Sequence, residues 1–531
     1  LGDEAGTALT TGDNNTAIGF EALSTEDADG NNTAIGYQAL KTLNAGASGF
    51  NTAVGVASGT AMTTGVKNTL LGHGSGAALT NADFNIAIGF GSLNSDTLGS
   101  KSVAVGEQTL NAQNFTTATD TFNTAVGHNA GKAVTTGIQN TLIGGLAGDS
   151  LTTGQENVAI GYAALDGDTA GRGSIAIGIN SLGVQNFSTA TYSNNTAIGH
   201  NSGAAVTTGT ASTLIGAFAG DAMTGSNSNT VVGYASLSAD TLGSASTALG
   251  TGVLRNQNFA TATVTHNTAV GNSAGNLITT GIQNTLIGSL AGDALTDADH
   301  NVVVGYAALS SDTLGSKSIA IGHAALQVQN FGTATDAYNV AVGYNAGQQV
   351  TTGVRNTIMG GLAGDALTTS NDNVAIGYAA LTTETSGGRC VAIGLHALNT
   401  QNVGGGTDAS NTAVGNQAGY AVTTGVQNTL IGGLAGDALT DADYNVAIGY
   451  ASLSSDTLGS RSVAIGRSAL ATQNFTTAVN TQNVAVGYEA GLDITTGTAN
   501  TCIGYQAGQN ITNSAGHVCV GQNAGNSSNA A

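Results

Sequence analysis

The chain has 531 residues, of which 80 are glycine, none is proline or tryptophan, and only 8% are charged. Its 32 acidic and 11 basic residues give a net charge of −21, which argues against nucleic acid or an anionic membrane as the main partner. A hydrophobic fraction of 41% excludes a disordered chain, and the absence of any run of 18 apolar residues argues against a membrane-spanning helix. We therefore expect an ordered protein that does not insert into a membrane.

One five-residue phrase, Asn-Thr-Ala-Val-Gly at residues 123–127, returns with variations along the whole chain. Its glycine, which we call the grid glycine, occurs thirty times from Gly2 to Gly521, and from Gly55 onward the spacing is strictly 17, 17, 17 and 21 residues. A fixed period of 72 residues predicts stacked repeats rather than several domains. We number the turns of a repeat 1 to 4; Gly127, Gly144, Gly161 and Gly178 mark turns 1 to 4 of one repeat.

The period predicts one continuous body over residues 1–531. It comprises less regular turns over 1–54, six 72-residue repeats over 55–486 and C-terminal turns over 487–531. Both ends of the sequence interrupt a repeat, so we expect a fragment of a longer chain.

Each turn opens with alternating β-branched residues before the grid glycine, which predicts a short strand of about five residues. A second short strand is expected a few residues after the glycine, before a Thr-Thr-Gly or Thr-Leu-Gly turn. Because 17 glycine-rich residues cannot hold a helical hairpin, the fold class is all-β: a parallel β-solenoid, or β-roll, of about 30 turns. Stacked strands about 4.8 Å apart would make it roughly 140 Å long.

Four residues before the grid glycine stands Asn in most turns and Ser in most fourth turns. Stacked Asn side chains form hydrogen-bonded ladders along β-stacks, so we predict a structural ladder that includes Asn123, Asn140, Asn157 and Asn195. Near the C-terminus, Cys502 and Cys519 stand at equivalent positions of adjacent turns. That spacing permits a disulfide, and two free buried thiols are the alternative.

The strand itself is apolar on both faces. Val126 and Thr124 share one face and Ala125 points to the other, and the middle position is apolar in every turn. Strands that are apolar on both faces are usually buried on both. One face fills the solenoid, so we infer that the other packs against further copies of the chain in a homotrimer or another homo-oligomer.

The phrases Ser-Ile-Ala-Ile-Gly at residues 174–178 and Ser-Val-Ala-Ile-Gly at 462–466 resemble the repeats of trimeric autotransporter adhesin heads. The whole chain also resembles the repeat shafts of phage tail fibres and bacterial surface proteins that often end in an endosialidase-type chaperone domain. The resemblance implies a parallel β-roll in which three chains pack together. The 17-residue turn is longer than the usual repeat of the adhesin heads, and neither a membrane anchor nor a chaperone domain is visible.

The 21-residue turns share the motif Gln-Asn-Phe, with Val in place of Phe at residue 403. Their aromatic residues could be repeated receptor contacts strengthened by multivalency, or they could fill the core beneath a wider turn. These candidates are Phe115, Phe187, Phe259, Phe331 and Phe475.

Acidic residues also recur in two series, one in turn 2 and one before the grid glycine of turn 4. Their spacing of about 19 Å within a series is too wide for a glycosidase pair, and we expect them to be solvated edge charges. The Asp-Ala-Asp pairs at residues 297–299 and 441–443 raise calcium binding as an alternative, although no calcium-binding nonapeptide or EF-hand loop is present. We predict no metal, no cofactor and no catalytic residue.

These features predict the shaft of an extracellular trimeric fibre, on a virion as a phage tail fibre or on a bacterial surface as an adhesin. Its expected partners are itself and a cell-surface receptor or glycan, bound by a tip outside this sequence. The alternatives are an extracellular filament subunit that assembles end to end and a β-helical enzyme acting on polysaccharide. An enzyme should contain one irregular turn with a groove, and the sequence contains none.

Overall fold

A computed structural model describes residues 2–28, 30–46 and 48–526. Its regular secondary structure consists of 39 short strands, and the described residues contain no helix long and apolar enough to cross a membrane. The chain divides into two compact units, Leu1–His266 and Asn267–Ala531. Both are built in the same way from stacked turns, so the prediction of an all-β, parallel β-solenoid of about 30 turns is confirmed.

The first unit contains β1 to β20. Their bounds are Thr16–Ile18, Thr33–Ile35, Thr52–Val54, Thr69–Leu71, Ile86–Ile88, Gly99–Ser100, Val103–Val105, Thr119–Asp120, Thr124–Val126, Thr141–Ile143, Val158–Ile160, Gly171–Arg172, Ile175–Ile177, Thr191–Tyr192, Thr196–Ile198, Thr213–Ile215, Thr230–Val232, Gly243–Ser244, Thr247–Leu249 and Thr263–Val264.

The second unit contains β21 to β39. Their bounds are Thr268–Val270, Thr285–Ile287, Val302–Val304, Gly315–Ser316, Ile319–Ile321, Thr335–Asp336, Val340–Val342, Thr357–Met359, Val374–Ile376, Val391–Ile393, Thr412–Val414, Thr429–Ile431, Val446–Ile448, Gly459–Ser460, Val463–Ile465, Val479–Asn480, Val484–Val486, Thr501–Ile503 and Val518–Val520.

Within each unit the three-residue strands form one parallel sheet in which every turn pairs with the next without slippage. In the first unit, Ala125 of β9 lies opposite Leu142 of β10, which in turn lies opposite Ala159 of β11. The same register links the strands of the second unit, as where Ala447 of β33 lies opposite Ala464 of β35. Equivalent residues of successive turns therefore form straight columns along each stack.

The strands are shorter than predicted because the backbone leaves the extended conformation at the grid glycine, where Gly127 has a φ of 137°. The second strand, which was predicted a few residues after the grid glycine, is absent from that segment. Instead, Asn129 and Gly131 adopt left-handed φ values of 58° and 59° and bend the chain into a tight turn. The bonding between turns nevertheless continues, since the Gly131 amide donates to the Ala147 carbonyl at 2.9 Å.

Two features require glycine at the grid position: its positive φ and the close approach of the backbone of the next turn. A Cβ atom on Gly127 would lie 2.5 Å from the carbonyl oxygen of Gly144 in the next turn. No side chain fits at that distance, which explains why this position never varies.

The core is a narrow column of small and branched side chains. Ala125, Leu142 and Ala159 point inward from successive strands and are fully buried. Where the strand carries Leu142, the turns beside it carry Gly131 and Gly148, and Cβ atoms at those glycines would lie within 3 Å of the leucine methyl groups. In turns 1 and 2, a strand leucine such as Leu142 thus fills the space that two glycines leave. In turn 3 the core is filled instead by a leucine that follows the grid glycine, such as Leu165.

Candidate interaction surface

The outward side of each sheet is a regular surface of its unit, and we call it the outer face. Strict alternation creates it: Asn123 and Ala125 are buried, whereas Phe122 is exposed and Thr124 and Val126 are partly exposed. The residue after the grid glycine also points outward. Four columns therefore run along the outer face, at five, three and one residues before the grid glycine and one residue after it.

The two central columns are mainly apolar. The position before the grid glycine is Val, Ile, Leu or Met in every turn, and the position three before it is Thr, Val or Ile. These side chains are only partly covered, and Ile143 and Met359 are 38% and 41% exposed. Each unit consequently carries a continuous apolar stripe on its outer face, which the described residues of the same unit leave partly exposed.

One border of the outer face carries a regular series of aromatic rings. The residue after the grid glycine of turn 3 is aromatic in all six 72-residue repeats, and each ring is 52–58% exposed. We call these residues the aromatic column: Phe90, Tyr162 and Tyr234 in the first unit, and Tyr306, Tyr378 and Tyr450 in the second. Sequence analysis missed them, although the recurrence of Phe or Tyr every 72 residues was a signal that could have revealed them.

Small neighbours let several of these rings lie against the preceding turn. A methyl group placed on Gly145 would be 3.5 Å from Cδ2 of Tyr162, and Gly433 stands in the same relation to Tyr450. Elsewhere the neighbour is itself a ring: Tyr306 stacks on His323 with ring centroids 5.5 Å apart and planes 25° apart. Each column ring thus lies with one side against a neighbouring turn and keeps about half of its surface exposed.

The opposite border, five residues before the grid glycine, collects six of the eleven basic residues: Lys67, Lys101, Lys317, Arg355, Arg389 and Arg461. We call it the charged border. Lys317 contacts Asp336 at 2.5 Å and lies 5.2 Å from the centre of the Tyr338 ring. The hydrogen bond between them raises the pKa of Lys317 and lowers that of Asp336. Ion pairs this exposed contribute little to stability.

The acidic residues expected at the edge of turn 4 are buried instead. Asp96, Asp168, Asp240, Asp312 and Asp456 have no exposed surface, so their prediction as solvated edge charges was wrong. Asp96 shows the physical reason, because its carboxylate accepts hydrogen bonds from the amides of Gly99 and Phe115, each at 3.1 Å. These bonds hold Asp96 at the base of the 21-residue turn, and that turn covers the carboxylate.

A glutamine connects each buried acid to the asparagine ladder. Gln113 Nε2 donates to Asp96 Oδ2 at 2.5 Å and to Ser102 Oγ at 2.9 Å, and Gln113 Oε1 accepts from Asn123 Nδ2 at 2.8 Å. The smaller Ser102 leaves room for the glutamine where an asparagine would otherwise stand. This arrangement explains why Ser in turn 4 accompanies every Gln-Asn-Phe motif, whereas in the fifth repeat Cys390 accompanies the variant motif Gln-Asn-Val.

The asparagines are buried and bond mainly to the backbone of the following turn. Asn140 Nδ2 donates to the carbonyl of Gly154 at 2.9 Å, and Asn140 Oδ1 accepts from the amide of Asn157 at 3.1 Å. Asn123 and Asn195 occupy the same column, each bonded to the glutamine of the preceding long turn. The ladder thus satisfies polar backbone groups inside the stack.

The aromatic residues of the long turns do not reach the surface. Phe115, Phe187, Phe259, Phe331 and Phe475 are only 5–8% exposed, so their rings are not available as receptor contacts. The wider turn folds back over the core and uses the ring to fill it. Of the two readings of this motif, the geometry favours the core residue.

The cysteines at the C-terminal end are adjacent. Cys502 lies opposite Cys519 in the register of β38 and β39, and both thiols are buried and free. Burial raises the pKa of Cys502 to about 11, which keeps it protonated at neutral pH. A disulfide between the two stays a prediction.

Turn 2 carries a separate series of half-buried acids. Desolvation raises the pKa of Asp149, Asp221, Asp293 and Asp437. Within the described residues, the Oδ1 atoms of the last three are shielded from water without a hydrogen-bond partner.

The aspartates considered as calcium ligands already accept hydrogen bonds from the preceding turn. Asp297 accepts a hydrogen bond from the hydroxyl of Thr280 and Asp299 accepts from the amide of Ile282, each at 2.7 Å. In the described part of the chain, no three His, Cys, Asp or Glu side chains are grouped closely enough to hold a metal ion.

Comparison of the chain with protein-family models, with curated proteins and with solved structures gave no significant match. The functional argument therefore rests on the geometry of the outer face.

Proposed function

We propose that this chain is the shaft of an extracellular trimeric fibre, either a phage tail fibre or a bacterial surface adhesin. In this role it holds a receptor-binding tip away from a particle or cell. Its work is mechanical, because every turn adds the same backbone hydrogen bonds and the same core contacts to the turn before it.

The observation that carries the proposal is the apolar stripe of the outer face. Its Val, Ile, Leu and Thr side chains recur in every turn of both units and remain partly exposed. Monomeric soluble proteins seldom expose apolar surface over so long a distance. Association of copies along this stripe would bury it and would stiffen each stack.

Repetition also supports a structural role over catalysis. The polar groups that are buried, such as Asp312 and Gln329, recur from repeat to repeat and are occupied by hydrogen bonds to one another. Enzymes concentrate their chemistry in one pocket, whereas here five of the six repeats carry the same set of groups and the fifth carries a close variant of it.

The test is the mass of the purified protein in solution, measured by light scattering and native mass spectrometry. We expect three times the chain mass of 51.7 kDa. A stable monomer at micromolar concentration would overturn the assignment of the outer face as a contact between copies.

Two matched variants locate the contact. Val126→Lys with Ile160→Lys places charge on the apolar stripe and should lower the mass to that of a folded monomer. Thr136→Lys with Thr153→Lys adds the same charge at exposed positions away from the stripe and should leave the trimer intact. Antibody labelling of intact particles or cells then tests the extracellular location.

A further inference from the structure

We propose that the aromatic column is a binding surface for a linear, neutral polysaccharide that lies along the stack. The surface consists of Phe90, Tyr162 and Tyr234 in the first unit and of Tyr306, Tyr378 and Tyr450 in the second. This inference goes beyond the proposed shaft role, because it gives the repeats themselves a ligand.

The fold does not require aromatic rings at this position. In the other turns the residue after the grid glycine varies: it is Gly145, Glu107, Thr251 or Asn272 in some turns and an aromatic residue such as Tyr344 in a few. Only in turn 3 is it aromatic in all six repeats. Because these rings are more than half exposed, core packing cannot account for the pattern.

The presentation of the rings fits a sugar. Tyr162 lies beside Gly145 with its ring exposed, and none of the five tyrosine hydroxyls in the column donates a hydrogen bond to any described residue. An aromatic face is electron-rich and packs against the C–H side of a pyranose ring, while the free hydroxyl can bond to the hydroxyl groups of the sugar. A row of exposed rings that recurs along the stack suits an extended polymer better than a small molecule.

The charge of the protein favours a neutral polymer over a polyanion. The protein carries a net charge of −21, which repels polyanions, and six of its eleven basic residues lie on the charged border, across the apolar stripe from the column. A single exposed stacking contact is weak. Rings repeated every four turns, about 19 Å apart within each unit, act together on one long chain and raise the overall avidity.

The same spacing argues against a second protein copy as the occupant of this column. A contact between copies should be apolar in every turn, as the stripe before the grid glycine is. In the aromatic column, the turns between successive rings carry mostly non-aromatic or polar residues, such as Glu107, Asn416 and Ser289.

The experiment is affinity electrophoresis of the full chain in gels that contain hydroxyethyl cellulose, glucomannan or mixed-linkage β-glucan, with alginate as the polyanionic probe. We expect at least one neutral polysaccharide to slow the wild-type protein and alginate not to slow it. Replacing all six column residues by Ser should weaken the binding at least tenfold. A matched variant with Phe84→Ser, Phe122→Ser, Tyr338→Ser and Tyr444→Ser on the charged border should bind as the wild type does.

Three results would overturn the proposal: no retardation of the wild type by any neutral probe, undiminished binding by the six-residue variant, or a lower oligomer mass in that variant. The last result would identify the column as a contact between copies. If the six-residue variant unfolds, the three-residue variant Phe90→Ser, Tyr162→Ser and Tyr234→Ser replaces it, with an expected partial loss. Because the oligomer mass is measured separately, a failure to bind polysaccharide would not contradict the proposed role as a fibre shaft.

Discussion

At the scale of single residues, complementary volumes set the core pattern. Leu142 projects its methyl groups over Gly131 and Gly148, where any Cβ atom would collide with them. In turns 3 and 4 the arrangement is reversed, with Ala159 and Ala176 on the strands and Leu165 and Leu182 in the turns. The large side chain thus changes position along the stack and fills the space that smaller residues leave beside it, as close packing demands.

Leu142→Ala should therefore be far more damaging than a change beside it on the outer face. The substitution leaves a cavity between two glycines that cannot fill it, and we expect a loss of about 2–5 kcal/mol in local opening free energy. Amide hydrogen exchange of the neighbouring turns measures this loss. The control Ile143→Ala removes a partly exposed side chain and should cost less, and equal losses would contradict the packing assignment.

Asp293 should make acidification stabilising. Desolvation raises its pKa in the folded state, so the folded chain binds a proton more readily than the unfolded chain. This contribution to stability grows as the pH falls through the raised pKa toward the ordinary value of 3.8. Asp293→Asn should stabilise the protein at pH 7, by less than about 1 kcal/mol because the group keeps contact with water.

Thermal unfolding of Asp293→Asn between pH 7 and pH 4 checks this prediction, and its advantage over the wild type should shrink as the pH falls. The control Asp297→Asn changes the net charge equally at an exposed position. An identical pH profile for both variants would contradict the role of burial.

At the scale of elements, the long turn behaves as one unit. In five repeats it combines a buried Asp with a buried Phe, whereas the fifth repeat combines Glu384 with Val403. Glu384 makes the corresponding bonds, accepting from the amides of Gly387 at 2.6 Å and Val403 at 3.2 Å. The longer acid thus accompanies the smaller apolar residue, as expected if the two share one space.

Asp312→Glu and Phe331→Val should accordingly compensate for each other. We expect each single change to destabilise its turn and the pair to lose less than the sum, with a coupling of about 0.5–3 kcal/mol. Hydrogen exchange of the surrounding amides measures the cycle. Asp456→Glu combined with Phe331→Val joins residues of different long turns and should be additive, and additivity in the first pair would refute shared packing.

At the scale of the whole molecule, each unit is a stack in which a turn contacts its immediate neighbours. Stability in such stacks is nearly a sum of terms for single turns and for the contacts between adjacent turns. Damage should therefore remain local, and long stretches of either unit should survive a defect elsewhere in it.

Gly178→Val tests this locality. Its new side chain would begin 2.4 Å from the carbonyl oxygen of Gly199 and would force the two turns apart. We expect limited proteolysis to cut near residue 178 while turns several steps away remain protected. The control Ile179→Val alters an exposed neighbour and should resist cleavage, whereas global unfolding of Gly178→Val would contradict the local model.

The sequence alone determined the period, the all-β class, the alternation of inward and outward residues and the strand position of the asparagine column. These features follow from local spacing, because a strand alternates every two residues and a stack repeats every turn. The tertiary structure decided the burial of Asp96 and Phe115, the lack of a strand directly after the grid glycine and the exposure of Tyr162. Such outcomes depend on contacts between turns: Asp96 is buried because Gln113, 17 residues later, and the closing long turn meet it there.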